Sequence, residues 1–199
     1  PKQEEVQLFQ VYARQMSITL SNLILQRALH LRNRELEEAY ASTHSLYMGT
    51  IDAMRKMVDA KDWYTRGHSD RVSYYAVKIA QAMGLNEAFA ERIRVAGMFH
   101  DIGKVGIPDE ILRKNGSLTE TEYAEVKEHP SLGVKILSSI SSFSDILSMV
   151  EGHHERFDGK GYPKGLAGEA IPLGARIICV ADAFDAMTSK RSYRGSMSL

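Results

Sequence analysis

Residues 86–103, NEAFAERIRVAGMFHDIG, read as a helix that stops on a histidine–aspartate doublet. Asn86 suits the N-cap, because its side-chain oxygen can accept a main-chain N–H that the first helical turn leaves unpaired. Ala90, Ile93 and Ala96 recur at three-residue steps and form an inward face. The end of this helix delivers His100 and Asp101 just before Gly103. Adjacent side chains on a helix diverge by about 100°, so the doublet can converge on one site only at a helix end or turn. The same holds for His153-His154, which follow Gly152.

Working outward, the neighbouring segments are helical as well. His68 opens a helix with Val72, Tyr75, Ala76, Ile79 and Met83 on one face, and Gly84 stands at its stop position. Thr119 and Glu122 form a capping-box pattern for a helix reaching Glu128. A further helix is expected from about Phe143 to near His153. Pro172 suits the first turn of the last one, which carries Ile177, Val180 and Phe184. Gly159-Lys160-Gly161-Tyr162-Pro163 must be a loop, since two glycines and a proline in five residues exclude regular structure. Strand alternation is nowhere sustained. The expected fold is all-α, a helical bundle.

The first 48 residues differ in character. From Lys2 to Met48 there is neither Gly nor Pro, and Leu, Gln, Glu, Arg and Ala dominate. Phe9, Ala13, Met16, Leu20 and Leu23 alternate steps of four and three, the spacing of a coiled-coil seam. Two readings stand: a helix packed on the domain that follows, or a dimerising signalling stalk over 1–48 ahead of a domain over 49–199. A second helical run, from about Ser45 to Ala60, precedes a break at Thr65-Arg66-Gly67.

Composition excludes several classes. Twenty-five basic and 25 acidic residues cancel, so nothing global suggests a nucleic-acid polymer or an acidic membrane surface. The single Cys179 excludes an internal disulfide and fits a reducing compartment. No apolar run approaches the ~20 residues of a membrane span, and no signal-peptide pattern opens the chain, so a cytoplasmic location is expected. Starting at Pro1, the sequence reads as a piece of a longer polypeptide.

The chemistry-bearing residues are His68, His100, Asp101, His129, His153, His154 and Asp182. Five imidazoles and two carboxylates suit two cations side by side, because the two oxygens of Asp101 can bridge them. Neutral imidazole and carboxylate favour Zn, Mn, Fe or Ni over Ca, and the lack of a nearby thiolate argues against a structural zinc knot. His30 and His44, in the charged N-terminal stretch, read as surface residues.

His100-Asp101, with His68 upstream and Asp182 downstream, resembles the name-giving signature of the HD superfamily of metal-dependent phosphohydrolases. The run His153-His154-Glu155-Arg156-Phe157-Asp158-Gly159-Lys160-Gly161-Tyr162-Pro163-Lys164-Gly165 resembles the defining stretch of its HD-GYP subfamily, bacterial phosphodiesterases of cyclic di-GMP. The similarity covers about Asp59 to Ser198. It implies one metal held by His68, His100, Asp101 and Asp182, and a second by His129, His153 and His154 with Asp101 bridging. Some family members carry a Glu four residues before the first His that helps hold a third metal; Tyr64 stands there, which favours two.

The resemblance further implies catalytic roles for Asp101 and Lys104, and phosphate contacts from Lys104, Arg191 and Arg194. Tyr162 is expected near a guanine base. The implied reaction is hydrolysis of cyclic di-GMP to pGpG by a water activated between two metals, with a second cleavage to GMP left open. The Gly-Tyr-Pro loop implies a diguanylate cyclase (GGDEF) domain as partner. Residues Gln3 to Asn22 resemble the last helix of a GAF sensory domain. Because the family domain continues through further helices, the piece ending at Leu199 is expected to be C-terminally truncated. Three alternatives stay open. Arg191 and Arg194 can simply compensate a helix dipole. The domain can act on another nucleotide. It can also be an inactive receptor for a cyclic dinucleotide or a GGDEF partner.

Overall fold

The computed structural model describes residues 2–61, 67–114 and 116–189. The fold is all-α, and among the described residues the only strand-like pairing is an isolated bridge between Asp158 and Ala167. The chain divides into two units, Pro1–Ile51 and Asp52–Leu199. Helix α1 runs unbroken over Gln3–Lys61, so the two helical runs expected around Met48 are one. Gly49 is tolerated inside it at a cost of about 1 kcal/mol relative to Ala. In the first unit every residue from 2 to 46 is exposed, including the seam residues Phe9, Met16, Leu20 and Leu23.

In the second unit α2 (His68–Ala82) and α3 (Glu87–Phe99) pack closely through small side chains. Ser73, Ala76, Ala80 and Ala96 are buried, and the Ser73 hydroxyl donates to the Arg94 carbonyl at 2.8 Å. Asn86 caps α3 as expected, accepting from the Phe89 N–H at 2.9 Å. After α3 the chain turns through a short 3₁₀ segment, Ile102–Gly106, and α4 (Asp109–Leu112).

Helix α5 (Glu120–Val126) carries the full Thr119–Glu122 capping box. It does not reach Glu128. The chain kinks at Lys127-Glu128 and restarts as α6 (His129–Leu137), with Pro130 in its first turn. Proline has no N–H to continue the α5 ladder, but fits a helix start, where that donor would be unpaired anyway. Likewise the helix expected from Phe143 begins as a 3₁₀ segment, Ser141–Ile146, and becomes α7 only over Leu147–Glu151.

The last helix, α8 (Leu173–Thr188), buries Ala175, Ile177, Ile178 and Ala181. Val180 and Met83, which the sequence puts with inward residues, are exposed. Val180 lies about 100° from its buried neighbour Ala181. The core joins Val72 of α2, Ile93 and Phe99 of α3, Leu137 of α6, Val150 of α7 and Ile178 of α8. Phe99 meets Phe143 at 5.4 Å between ring centroids, and Tyr75 meets Phe184 edge-on at 4.9 Å.

Candidate metal centre

Helix ends deliver the functional side chains. His68 is the first residue of α2, His100 caps the C-terminus of α3, and Asp101 follows it. His129 opens α6, and His153 and His154 follow the end of α7 at Gly152. Gly103 makes the convergence feasible, because a Cβ there would collide with the carbonyl oxygen of His129. The 3₁₀ turn after Asp101 therefore lies directly against the start of α6.

Hydrogen bonding fixes how the imidazoles present themselves. His100, His129 and His153 each bond through Nδ1 to the carbonyl three residues back, of Gly97, Val126 and Val150, at 2.7, 2.7 and 2.6 Å. A carbonyl only accepts, so each Nδ1 carries the proton, and in the neutral ring Nε2 presents a lone pair. The Nε2 atoms of His129 and His153 lie 3.3 Å apart. Two lone pairs facing at that distance repel unless a cation or proton lies between them. His100 Nε2 is buried and has no hydrogen-bond partner among the described residues. Buried polar atoms are rarely left so, and the pattern fits a metal ligand.

These donors form two groups. Asp101, His129, His153 and His154 offer atoms within 4.8 Å of one another, as do His68, His100 and Asp101. Asp101 belongs to both: its Oδ1 lies 3.4 Å from His129 Nε2, and its Oδ2 lies 3.4 Å from His100 Nε2. Asp182 Oδ1 is 3.2 Å from His68 Nε2, which attaches it to the second group. Lys104 Nζ lies 2.7 Å from Asp101 Oδ2. The centre is thus built from imidazole nitrogen and carboxylate oxygen, the donor chemistry of a transition-metal cation.

Protonation follows the same geometry. Burial lowers the pKa of His129 and pushes His153 well down, and the other imidazoles drive His153 further. His154 is pushed down to about 4, chiefly by burial and then by His129. At neutral pH these rings are free bases ready to ligate. For Asp101, burial works against ionisation but is outweighed by Lys104, His100 and His129, so the carboxylate stays charged. His68 is shifted the other way. Burial favours its neutral form, but Asp182 and Asp185 overcome that and raise its pKa.

Asp185 is a further residue of the site, beside the metal-capable donors. It does two jobs at once, accepting from His68 Nδ1 at 2.7 Å and gripping Arg71 through Nε at 2.6 Å and Nη2 at 3.0 Å. The spacing is compatible with both contacts without specifying either: Asp185 follows Asp182 by three residues and Arg71 follows His68 by three, so each lies one turn along its helix. Tyr162, in the loop after α7, has its ring 4.8 Å from that of His154 and 6.4 Å from that of His129. Burial pushes its phenol well above the usual value, so it stays a hydrogen-bond donor. Tyr64, Arg191 and Arg194 lie outside the described residues.

Comparison with known proteins agrees with this centre. The profile described as HD domain matches residues 52–199. The chain is 38% identical over 179 residues to a cyclic di-GMP phosphodiesterase of Thermotoga maritima, an alignment covering 88% of this chain and 48% of that protein. It is 39% identical over 181 residues to the cyclic di-GMP phosphodiesterase response regulator RpfG of Xanthomonas campestris pv. campestris, covering 90% and 48%. It is 42% identical over 149 residues to the 3'3'-cGAMP-specific phosphodiesterase 3 of Vibrio cholerae, covering 75% and 32%. The chain therefore spans half or less of the length of these relatives. Among solved structures, Bd1817, a HDG"Y"P protein from Bdellovibrio bacteriovorus, superposes with a TM-score of 0.56 at 21% identity, over 73% of this chain and 53% of that one, and so shares the fold. With a profile match across the whole second unit and the His100-Asp101 doublet at the centre of its donors, this chain belongs to the HD domain family, in its HD-GYP branch.

Proposed function

We propose that this chain is a metal-dependent phosphodiesterase that opens cyclic di-GMP to pGpG, with cleavage on to GMP as a further step. The observation that carries this reading is Asp101, which turns one oxygen toward each of two histidine groups. That layout suits two cations sharing a ligand: His68, His100, Asp101 and Asp182 for one; His129, His153, His154 and Asp101 for the other. Fe, Mn, Ni and Zn all match the donors. When bound, such a pair supplies Lewis acidity, lowering the pKa of a shared water and neutralising the anionic phosphodiester.

The chain's own residues supply the rest. Asp101 holds its charge while buried, and Asp185 fixes the ring of His68 so that Nε2 faces inward. Lys104 brings an ammonium to the site, placed to meet a phosphate oxygen as a point charge. Tyr162 supplies a flat face and a protonated hydroxyl for a base. Arg191 and Arg194 add phosphate contacts. In the reaction a water oxygen bonds to phosphorus, and the bond from phosphorus to a ribose 3'-oxygen breaks, leaving pGpG with its 5'-phosphate.

A second substrate has support of its own, since a relative that is 42% identical is named as specific for 3'3'-cGAMP. Both substrates are distinguished in one assay: protein reconstituted with Mn, Fe or Ni is given each cyclic dinucleotide, and linear products are separated by chromatography. The expected result is pGpG from cyclic di-GMP at the higher kcat/KM. Binding without linear product would mark the domain as a receptor. With Tyr64 in place of a third carboxylate ligand, metal analysis is expected to find two ions per chain, and three would contradict that assignment. The exposed seam of α1 supports a homodimer through that helix, and the Gly-Tyr-Pro loop a GGDEF-domain partner. Among the described residues no helix is long and apolar enough to cross a membrane, and we place the segment in the cytoplasm.

A further inference from the structure

Glu155 follows the two terminal histidines yet belongs to neither group of metal-capable donors. It is 3% exposed, and burying a carboxylate is costly unless its oxygens are hydrogen-bonded. Both are. Oε1 accepts from the Lys164 N–H at 2.7 Å, and Oε2 from the Leu166 N–H at 2.9 Å. These amides lie nine and eleven residues further on, so one side chain closes the whole Gly-Tyr-Pro loop back onto its own start.

Two other features hold the same fold-back. The Tyr162 N–H donates to the His154 carbonyl at 3.2 Å. At Gly161 the chain runs so close that a Cβ would collide with the backbone of Glu155 and Arg156. Tyr162 sits between Gly161 and the Glu155-bound Lys164, and its ring is tilted 32° against His154 at 4.8 Å. The ring's placement beside the metal ligands therefore depends on where the loop is pinned.

We propose that Glu155 is a positioning residue, whose buried carboxylate pins residues 156–166 so that Tyr162 forms one wall of the nucleotide site. The proposal rests on the phosphodiesterase reading for its substrate. Its mechanism is geometric: charge-assisted bonds from two main-chain amides are stronger than neutral ones, and they set the loop before substrate arrives. This pre-organisation improves binding more than the chemical step.

The test uses Glu155→Gln, Tyr162→Ala and the double variant in otherwise unaltered protein. The Gln amide can accept from one of the two N–H groups but turns its own NH2 toward the other. Glu155→Gln is expected to raise KM for cyclic di-GMP about tenfold, the effect of leaving one buried donor unsatisfied, with kcat changed much less and metal content equal to wild type. The double variant should bind no worse than Tyr162→Ala alone, because both changes remove the same wall. Amide hydrogen exchange over 160–166 in metal-free protein should speed up in Glu155→Gln and not in Tyr162→Ala. Loss of metal from Glu155→Gln would make it a ligand and overturn the proposal, as would KM effects that multiply in the double variant. Unchanged exchange over 160–166 would also overturn it. Absence of turnover in wild-type protein would instead count against the phosphodiesterase reading, and the exchange comparison would still decide on Glu155.

Discussion

At the scale of single residues, the centre depends on which imidazole nitrogen is left free. Three backbone carbonyls and Asp185 hold the Nδ1 atoms of His100, His129, His153 and His68, so four Nε2 atoms face the donors of Asp101 and Asp182. Partners of this kind fix ligand orientation, and removing them typically weakens metal affinity 10- to 100-fold. Asp185→Asn should therefore weaken metal binding by about that factor, measured by competition with a calibrated chelator. Unchanged affinity would make the His68–Asp185 contact incidental. The metal-capable residues could be picked out in the sequence because no packed core needs five histidines and two aspartates in short separated segments. Asp185 could not, since a carboxylate at that spacing suits either a ligand's partner or an arginine's, and here it serves both.

At the scale of elements, the site is an assembly of helix ends held at close quarters. Gly103→Ala would push a methyl into the His129 carbonyl, and overpacking of this kind costs about 1–3 kcal/mol. A lowered Tm together with lost metal is the expected outcome. The loop after α7 has a pH signature through Asp158, which bonds Arg156 and accepts from the Lys160 N–H at 3.1 Å. These contacts hold its carboxyl at about 2, against an ordinary 3.8, with Arg156 the larger cause. Its folded pKa is depressed, so its contribution is present above about pH 3.8 and fades as pH falls through about 2. Amide exchange of the loop should thus differ between wild type and Asp158→Asn at pH 6, and the difference should shrink toward pH 2. Caps were the readable part of these elements: Asn86 and Thr119–Glu122 act locally, and local chemistry is enough to specify them. The kink between α5 and α6 is not legible in the sequence, because Pro130 is compatible with both a helix start and a helix end nearby, and the close approach of Gly103 to His129 is a contact that local sequence does not specify.

At the scale of the whole molecule, the all-α architecture could be read from the sequence, whereas the continuity of α1 through Gly49 could not, since one glycine costs too little to decide a 59-residue helix. The exposed seam on α1 gives the proposed dimer its own test. Leu20→Asp with Leu23→Asp should convert a dimer in sedimentation velocity to a monomer, and a wild-type monomer would remove the stalk interpretation. Two cations sharing Asp101 are expected to form one site that cleaves a cyclic dinucleotide. The most direct measurement compares wild type with Asp101→Ala, following metal content and cyclic di-GMP turnover in the same preparations. The expected result is metal-loaded wild type that yields pGpG, and a folded variant that has lost metal from both groups together with turnover. A variant that still hydrolyses cyclic di-GMP with its metal complement intact would contradict it.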